Sequence, residues 1–483
     1  MNNEIVDNFP EKSVIVNTTA TSATVAVDRE SGDTIKRLDK VLIDHYRCPG
    51  EFVHVGVWGD PLGKTGFFKF GRDAVCYGRC STFAPSPSTD SPLNDALGHV
   101  RKGRDGIELP FDIDEAVSAL RVERYMRSTN DAGASSILQK FVRAAYYAVR
   151  PVMPVSVRKH LQRYSLRGWD KKAFPHWPVD TSVESIIETT LRLNMRARGL
   201  KEMPFIWFWP EGAQSCAVMT HDVETATGRD FCGRLMDIND SFGIKSSFQV
   251  VPECRYEVPE SFLQDIRLRG FEVNVHDLNH DGNLFKEYTE FRRRAAEIEK
   301  YRKLFGARGF RAGVLYRNID WFDLLHFEYD MSIPNVAHLD PQHGGCCTTF
   351  PYFIGDILEI PVTMTQDYSL FNILCNYKLD LWEKQMNVIH KRHGVMNFIV
   401  HPDYIIGQRE QGVYKELLGR LSDLRRTAGL WTALPGELNE WWRQRSRMKL
   451  VRRESGWEIE GEGKVRARIA YARMVNGKLV YSL

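Results

Sequence analysis

No stretch of this 483-residue chain approaches the roughly 20 consecutive apolar residues that a membrane-spanning helix needs. Nor is there an excess of charge of one sign: 65 Lys and Arg stand against 62 Asp and Glu, without a dense basic block, so no nucleic-acid partner is expected. The nine cysteines are odd in number and irregularly spaced, which sets aside a disulfide framework. Met1 to Pro10 is polar and acidic and lacks the apolar segment of a secretory signal. These absences lead to the expectation of a reducing, cytoplasmic setting. At this length the chain has room for two or three domains with a large core.

Residues 1–40 are rich in Thr, Ser, Asn and Asp without periodicity and are expected to be partly disordered. Residues 41–110 hold short apolar runs such as Phe52–Trp58 and Gly66–Phe70, broken by Gly and Pro, and read as a small β-rich unit. Its Cys76 and Cys80 are expected to be packed or free thiols rather than metal ligands. Residues 111–210 read as a helical region, with helices over Asp112–Met126 and Ser136–Arg150. Thr181 and Glu184 there have the spacing of a capping box. Between Phe141 and Trp169, Arg143, Arg150, Arg158, Lys159, Arg163 and Arg167 are interleaved with Tyr, Val and Leu. Such a basic amphipathic face can rest peripherally on the inner face of a membrane or hold an anionic glycan, but a solvated helix face is the expectation.

From 215 to 447 short apolar strands alternate with amphipathic helices. The strands are expected over Ala217–His221, Ser246–Val251, Phe271–His276, Gly309–Gly313, Ile357–Met364, Val395–His401 and Leu430–Leu434. The helices include Leu284–Phe305 and Val413–Ala428. Repeated βα units of this length predict an α/β fold: a parallel sheet closed or nearly closed into a barrel, with chemistry at the carboxyl ends of its strands. After 448 the pattern changes to a short C-terminal β segment, in which Val465, Ala467, Ile469 and Tyr471 alternate with basic residues and Asn476-Gly477 makes a hairpin turn.

The strand ends carry ionisable residues. Asp222 and Glu224 are two apart, so in an extended segment both point to one side. His276 and His280 are four apart and share a face if the chain turns helical there. Two imidazoles and a carboxylate suit a divalent metal, Zn²⁺ first, with an open position. Asp222 alone is equally well read as a helix cap. Arg311 could hold a catalytic carboxylate ionised, or form a structural ion pair. His401 ends an apolar strand and could protonate a leaving nitrogen, or be a satisfied core histidine. Four such sets at strand ends are hard to explain by packing.

In this order, Thr220-His221-Asp222-Val223-Glu224, then His276 to His280, then Arg311, then His401, the chain resembles the polysaccharide deacetylases of carbohydrate esterase family four and their allantoinase-like relatives. The resemblance covers about 215 to 445. It implies a deformed (β/α) barrel and metal-dependent removal of an N-acetyl group from an amino sugar in a polysaccharide or its precursor. It implies Asp222 as general base, His276 and His280 as metal ligands, Arg311 as tether of the base and His401 as general acid. Val223 stands where the family has its second Asp, so the ligand carboxylate moves to Glu224, with exchange of the two carboxylate roles left open. The family's D-x-x-D-W motif is absent. Asp330, in Tyr329-Asp330-Met331-Ser332, resembles a variant and is expected to orient His401 or cap a turn. The Pro341–Phe350 loop, with Cys346-Cys347, has no counterpart and is expected at the surface. Hydrolysis of a cyclic ureide or imide, and a non-catalytic glycan-binding role, are the alternatives.

Overall fold

The computed structural model describes residues 25–27, 34–36, 39–126 and 155–483. The helix expected over Ser136–Arg150 lies outside them, as does most of 1–40, where Val25–Val27 and Thr34–Lys36 pair antiparallel.

The centre is a nine-stranded sheet: β1 (Ser215–Val223), β2 (Ser247–Val250), β3 (Glu272–His276), β4 (Gly309–Arg311), β5 (Tyr329–Asp330), β6 (Tyr352–Ile354), β7 (Ile357–Glu359), β8 (Val395–Ile399) and β9 (Leu430–Ala433). The order is β6-β7-β5-β4-β3-β2-β1-β8, with β9 also on β1, and every pairing is parallel except β6 with β7. The segment after β7 reaches β8: the Thr363 hydroxyl donates to the Val395 carbonyl at 2.7 Å and the Met364 N–H to the Asn397 carbonyl at 3.3 Å. The sheet is thus curled into a barrel-like form.

β1 is buried at all nine positions, as expected of a strand flanked on both sides. Alternation sorts its neighbours. Met219, Phe248, Val275 and Phe310 pack against Leu235, Leu263, Phe291 and Leu417 of the surrounding helices. Asp222, Gln249, His276 and Arg311 project from the opposite face.

β1 is longer than the expected Ala217–His221, and the other expected strands are shorter than foreseen; beyond Glu359 the Ile357–Met364 run continues as extended chain. β5 and β6, two and three residues long, carry too little periodicity to have been visible. The helix expected from Leu284 begins at Tyr288, where the Glu287 side chain accepts from the N–H groups of Thr289 and Glu290 at 2.8 Å. The other expected helix runs over Gln408–Thr427 with Leu417, Leu421 and Leu424 buried.

The N-terminal region contains the expected β pairs, Leu62–Lys69 with Val75–Cys80 among them, and Cys76 and Cys80 are buried free thiols. Asp112 caps the helix Ile113–Arg121, its side chain accepting from Glu115 N–H at 3.0 Å. Thr181 and Glu184 do not form a capping box. Glu184 is buried and reaches across to accept from Thr348 and the Thr349 N–H instead. Of the expected surface loop 341–350, Pro341 and His343 are exposed but Gly344 to Phe350 are buried. Cys346 and Cys347 are fully buried, Tyr125 donates to the Gly345 carbonyl, and Arg317 grips Glu123 through two bonds of 2.5 and 2.6 Å. That stretch is the seam between the N-terminal region and the barrel. A Cβ at Gly345 would lie 2.2 Å from the Asn335 carbonyl oxygen, so only glycine fits there.

The tail forms two hairpins, and Ile469–Val475 also pairs with Glu202–Ile206 of the N-terminal region. Asn476 and Gly477 both have positive φ, as a tight hairpin turn requires. Of the alternating residues Ala467 is buried and Val465 is 81% exposed, and from Ile469 on it is Ala470 and Ala472 that are buried. A short 3₁₀ turn at Lys464–Arg466 breaks the alternation.

Candidate metal and acid–base site

At the carboxyl end of β1 the side chains of Thr220 and Asp222 turn inward, and His221 turns outward. His221 donates from Nδ1 to the Val400 carbonyl at 3.0 Å and accepts from Asn239 at 3.1 Å. Burial pushes its imidazole down to about 4, so it is a neutral packing group between β1 and two helices. The cap role considered for Asp222 is filled by Thr225, whose hydroxyl accepts from Gly228 N–H at 3.0 Å. Asp222 is left for Arg311, whose Nη1 donates to its Oδ1 at 2.6 Å and to the Thr220 hydroxyl at 2.7 Å. Both partners are nearly without exposure. Burial alone would raise the Asp222 carboxyl, but Arg311, with His276 and His401, overrides it and holds the group below its usual value.

Glu224 lies one residue past β1, and its Oε1 is the meeting point of three imidazoles. His280 Nε2 is 2.9 Å away, His401 Nε2 3.4 Å and His276 Nε2 3.5 Å. Asp222 Oδ2 is 3.8 Å from His276 Nε2. Burial opposes ionisation of Glu224, but these imidazoles outweigh it and hold the carboxyl well below its usual range. Its side chain keeps 17% exposure against 1% for His276, so the cluster opens to solvent on the Glu224 side.

The two histidines converge by a route other than the expected helix. After β3 the chain enters a loop in which Asp277 and His280 both adopt left-handed φ, 57° and 55°. Such backbone in non-glycine residues is strained and is tolerated where surroundings impose it. Here the Asn279 side chain accepts from Asp281 N–H and the Asp281 side chain from Asn283 N–H, and Arg294 clamps Asp281 through bonds of 2.8 and 2.9 Å. Gly313 lets the loop close: a Cβ there would stand 2.4 Å from Asp277 Oδ2.

The donor chemistry fits a divalent cation. His276 Nδ1 lies 3.1 Å from the Arg311 carbonyl and must donate to it, which leaves Nε2 as the lone-pair nitrogen. Nε2 of His276 and of His280 are both buried and make no well-aligned hydrogen bond, each facing Glu224 Oε1. Two such imidazole nitrogens facing one carboxylate make a ligand set of the kind that Zn²⁺ and similar ions take.

His401 follows β8. Its Nδ1 is 2.7 Å from Asp367 Oδ1 and its N–H donates to Asp367 Oδ2 at 2.7 Å. Burial works against a charge on this imidazole, but Asp367 and Glu224 outweigh it and lift it well above its usual range. The residue orienting His401 is therefore Asp367 and not Asp330. Asp330 accepts from the Ser332 hydroxyl and N–H at 2.8 Å and shares a hydrogen bond with Glu359, its register partner on β7. Asp367 opens a short helical turn that continues through Ser369–Ile373 in the connection after β7. Its only sequence signal is an acid a few residues beyond an apolar run.

No protein-family model and no curated protein matches the chain. Solved structures with a similar fold cover about half of it. A candidate polysaccharide deacetylase from Mycobacterium smegmatis matches 49% of this chain and 93% of its own at 18% identity and a TM-score of 0.40. Puue allantoinase matches 48% and 92% at 13% identity and a TM-score of 0.39. The peptidoglycan deacetylase PdaC of Bacillus subtilis matches 47% and 91% at 12% identity and a TM-score of 0.30.

Proposed function

We propose that the chain is a metal-dependent hydrolase that removes an N-acetyl group from an amino sugar in a polysaccharide or its precursor. One observation carries this reading. Two imidazole nitrogens without a well-aligned hydrogen bond and Glu224 converge on one point, with an ionised carboxylate on one flank and a cationic imidazole on the other. That set divides the labour of amide hydrolysis.

His276, His280 and Glu224 would hold the cation, which when bound acidifies water and polarises a carbonyl. Asp222 acts as general base: Arg311 occupies Oδ1 and keeps the carboxylate ionised, leaving Oδ2 to take the proton of the attacking water. His401 acts as general acid. Asp367 fixes its Nδ1–H, so Nε2 presents the proton that the departing amine nitrogen needs when the C–N bond breaks. The products are acetate and the free amine.

The pH dependence follows from the same contacts. Activity falls on the acid side as Asp222 gains a proton, a step that Arg311 moves below that carboxyl's usual value. It falls on the alkaline side above the usual imidazole range, where His401 loses one. The test is acetate release from a panel of N-acetylated sugars, with and without chelator and with metal analysis of the purified chain. Chelator-sensitive release, lost in His280→Ala along with the bound metal, is the expected outcome. A chain that releases no acetate but opens a cyclic ureide or imide would move the substrate class. Metal absent from active protein would remove the proposal.

A further inference from the structure

The helix Val155–Ser165 presents an apolar stripe to solvent beside the site. Val157, Leu161 and Tyr164, spaced i, i+4 and i+7 on one face, are 43%, 40% and 62% exposed. Residues 155–172 carry six Lys or Arg against the single acid Asp170. Trp169, in the turn that follows, packs edge-on against Trp177 at 4.7 Å and remains partly exposed. A soluble face would be expected to keep its apolar residues inward; here they point out among cations.

The location is specific. The Tyr368 hydroxyl donates to Gln162, and Arg163 Nε donates to the Asn372 carbonyl at 2.8 Å. The Tyr368 ring lies 5.4 Å from Tyr404, which lies 4.9 Å from His401. The helix is thus joined to the acid flank of the site through two aromatic rings.

We infer that this helix is a docking surface for an anionic phospholipid membrane, the apolar stripe entering the headgroup boundary and the surrounding cations meeting lipid phosphates. Lipid is favoured over a soluble polyanion because three exposed apolar side chains in one line gain nothing from a sulfated or carboxylated chain. Docking would hold the Glu224 opening close to the bilayer surface, where a sugar carried on a lipid is presented.

The test is co-sedimentation of the full chain with vesicles of phosphatidylcholine alone and of phosphatidylcholine with phosphatidylglycerol. Binding to the anionic vesicles, weakened by salt, is expected, with little to the neutral ones. Leu161→Asp and Tyr164→Asp each lower partitioning at least tenfold, while Leu304→Asp, at an exposed position on another helix, leaves it unchanged. Arg167→Gln and Lys171→Gln each weaken it about fivefold. An unfolding midpoint equal to that of the parent chain shows that each variant is folded. Equal binding to neutral vesicles, no binding to either, or Leu161→Asp and Tyr164→Asp variants that bind like the parent would overturn the inference. So would retention by soluble dextran sulfate in place of vesicles. The readout is partitioning, so it stands or falls apart from the catalytic reading.

Discussion

Two sets of buried carboxyls in one molecule are shifted in opposite directions. Asp222 and Glu224 are held below their usual range, whereas Glu359, deep in the same sheet, is pushed well above it and Glu184, at the seam, rises to about 7. Burial drives all four the same way, toward the neutral form. What separates them is the company of cations. Asp222 has Arg311 at 2.6 Å and Glu224 has three imidazoles within 3.5 Å. Glu359 faces another carboxyl, Asp330, and Glu184 has a hydroxyl and an N–H. The two lowered carboxyls lie at the opening, Glu359 and Glu184 away from it, and the difference is set by neighbouring cations and not by burial.

The comparison can be broken at several points. Asp222→Asn should cost the largest amount, about 10²–10⁴-fold in kcat, if Asp222 is the general base, with metal content retained. Full turnover in that variant would exchange the roles of Asp222 and Glu224. Arg311→Met should lower unfolding free energy in urea by about 3–5 kcal/mol, since it strands the buried Asp222 charge. Adding Asp222→Asn to it should recover part of that loss; strict additivity would mean the pair is not coupled.

Glu184→Gln tests the other set. The unfolded group titrates near 4.5 and the folded one near 7, so the folded state binds more protons between those values and its stability falls as pH rises through that window. Above pH 7 the accumulated loss is about 3 kcal/mol, which the glutamine should restore, with no gain below pH 4.5. A melting temperature that gains equally at pH 4 and pH 8 would contradict this. The smallest effect is expected for Asp330→Asn, less than about tenfold in kcat, roughly 1.4 kcal/mol in the barrier, because Asp330 touches Ser332 and Glu359 and not His401.

How much was legible in the chain divides along physical lines. The cluster of Asp222, Glu224, His276 and His280 could be read because strand periodicity fixes which residues share a face, and strand ends in such sheets point one way. The local path could not: a left-handed Asp277 and His280 leave no mark on residue spacing, so a helix was the natural expectation. Asp367 escaped because its role is set by the long connection after β7, whose course depends on contacts with β8. The seam escaped for a related reason. A Gly-Gly-Cys-Cys run reads as surface turn until Glu123, Tyr125 and Arg317, distant in sequence, close over it.

Arg311 serves the opening twice, its guanidinium on Asp222 and its carbonyl oxygen on His276 Nδ1. Because β4 is only three residues long, a slip of one place would turn the guanidinium into the helix layer and withdraw the carbonyl together. Asp222 and His276 are therefore yoked to a single residue. A shift of β4 would break both contacts at once, whereas a change of the Arg311 side chain alone would leave its carbonyl on His276.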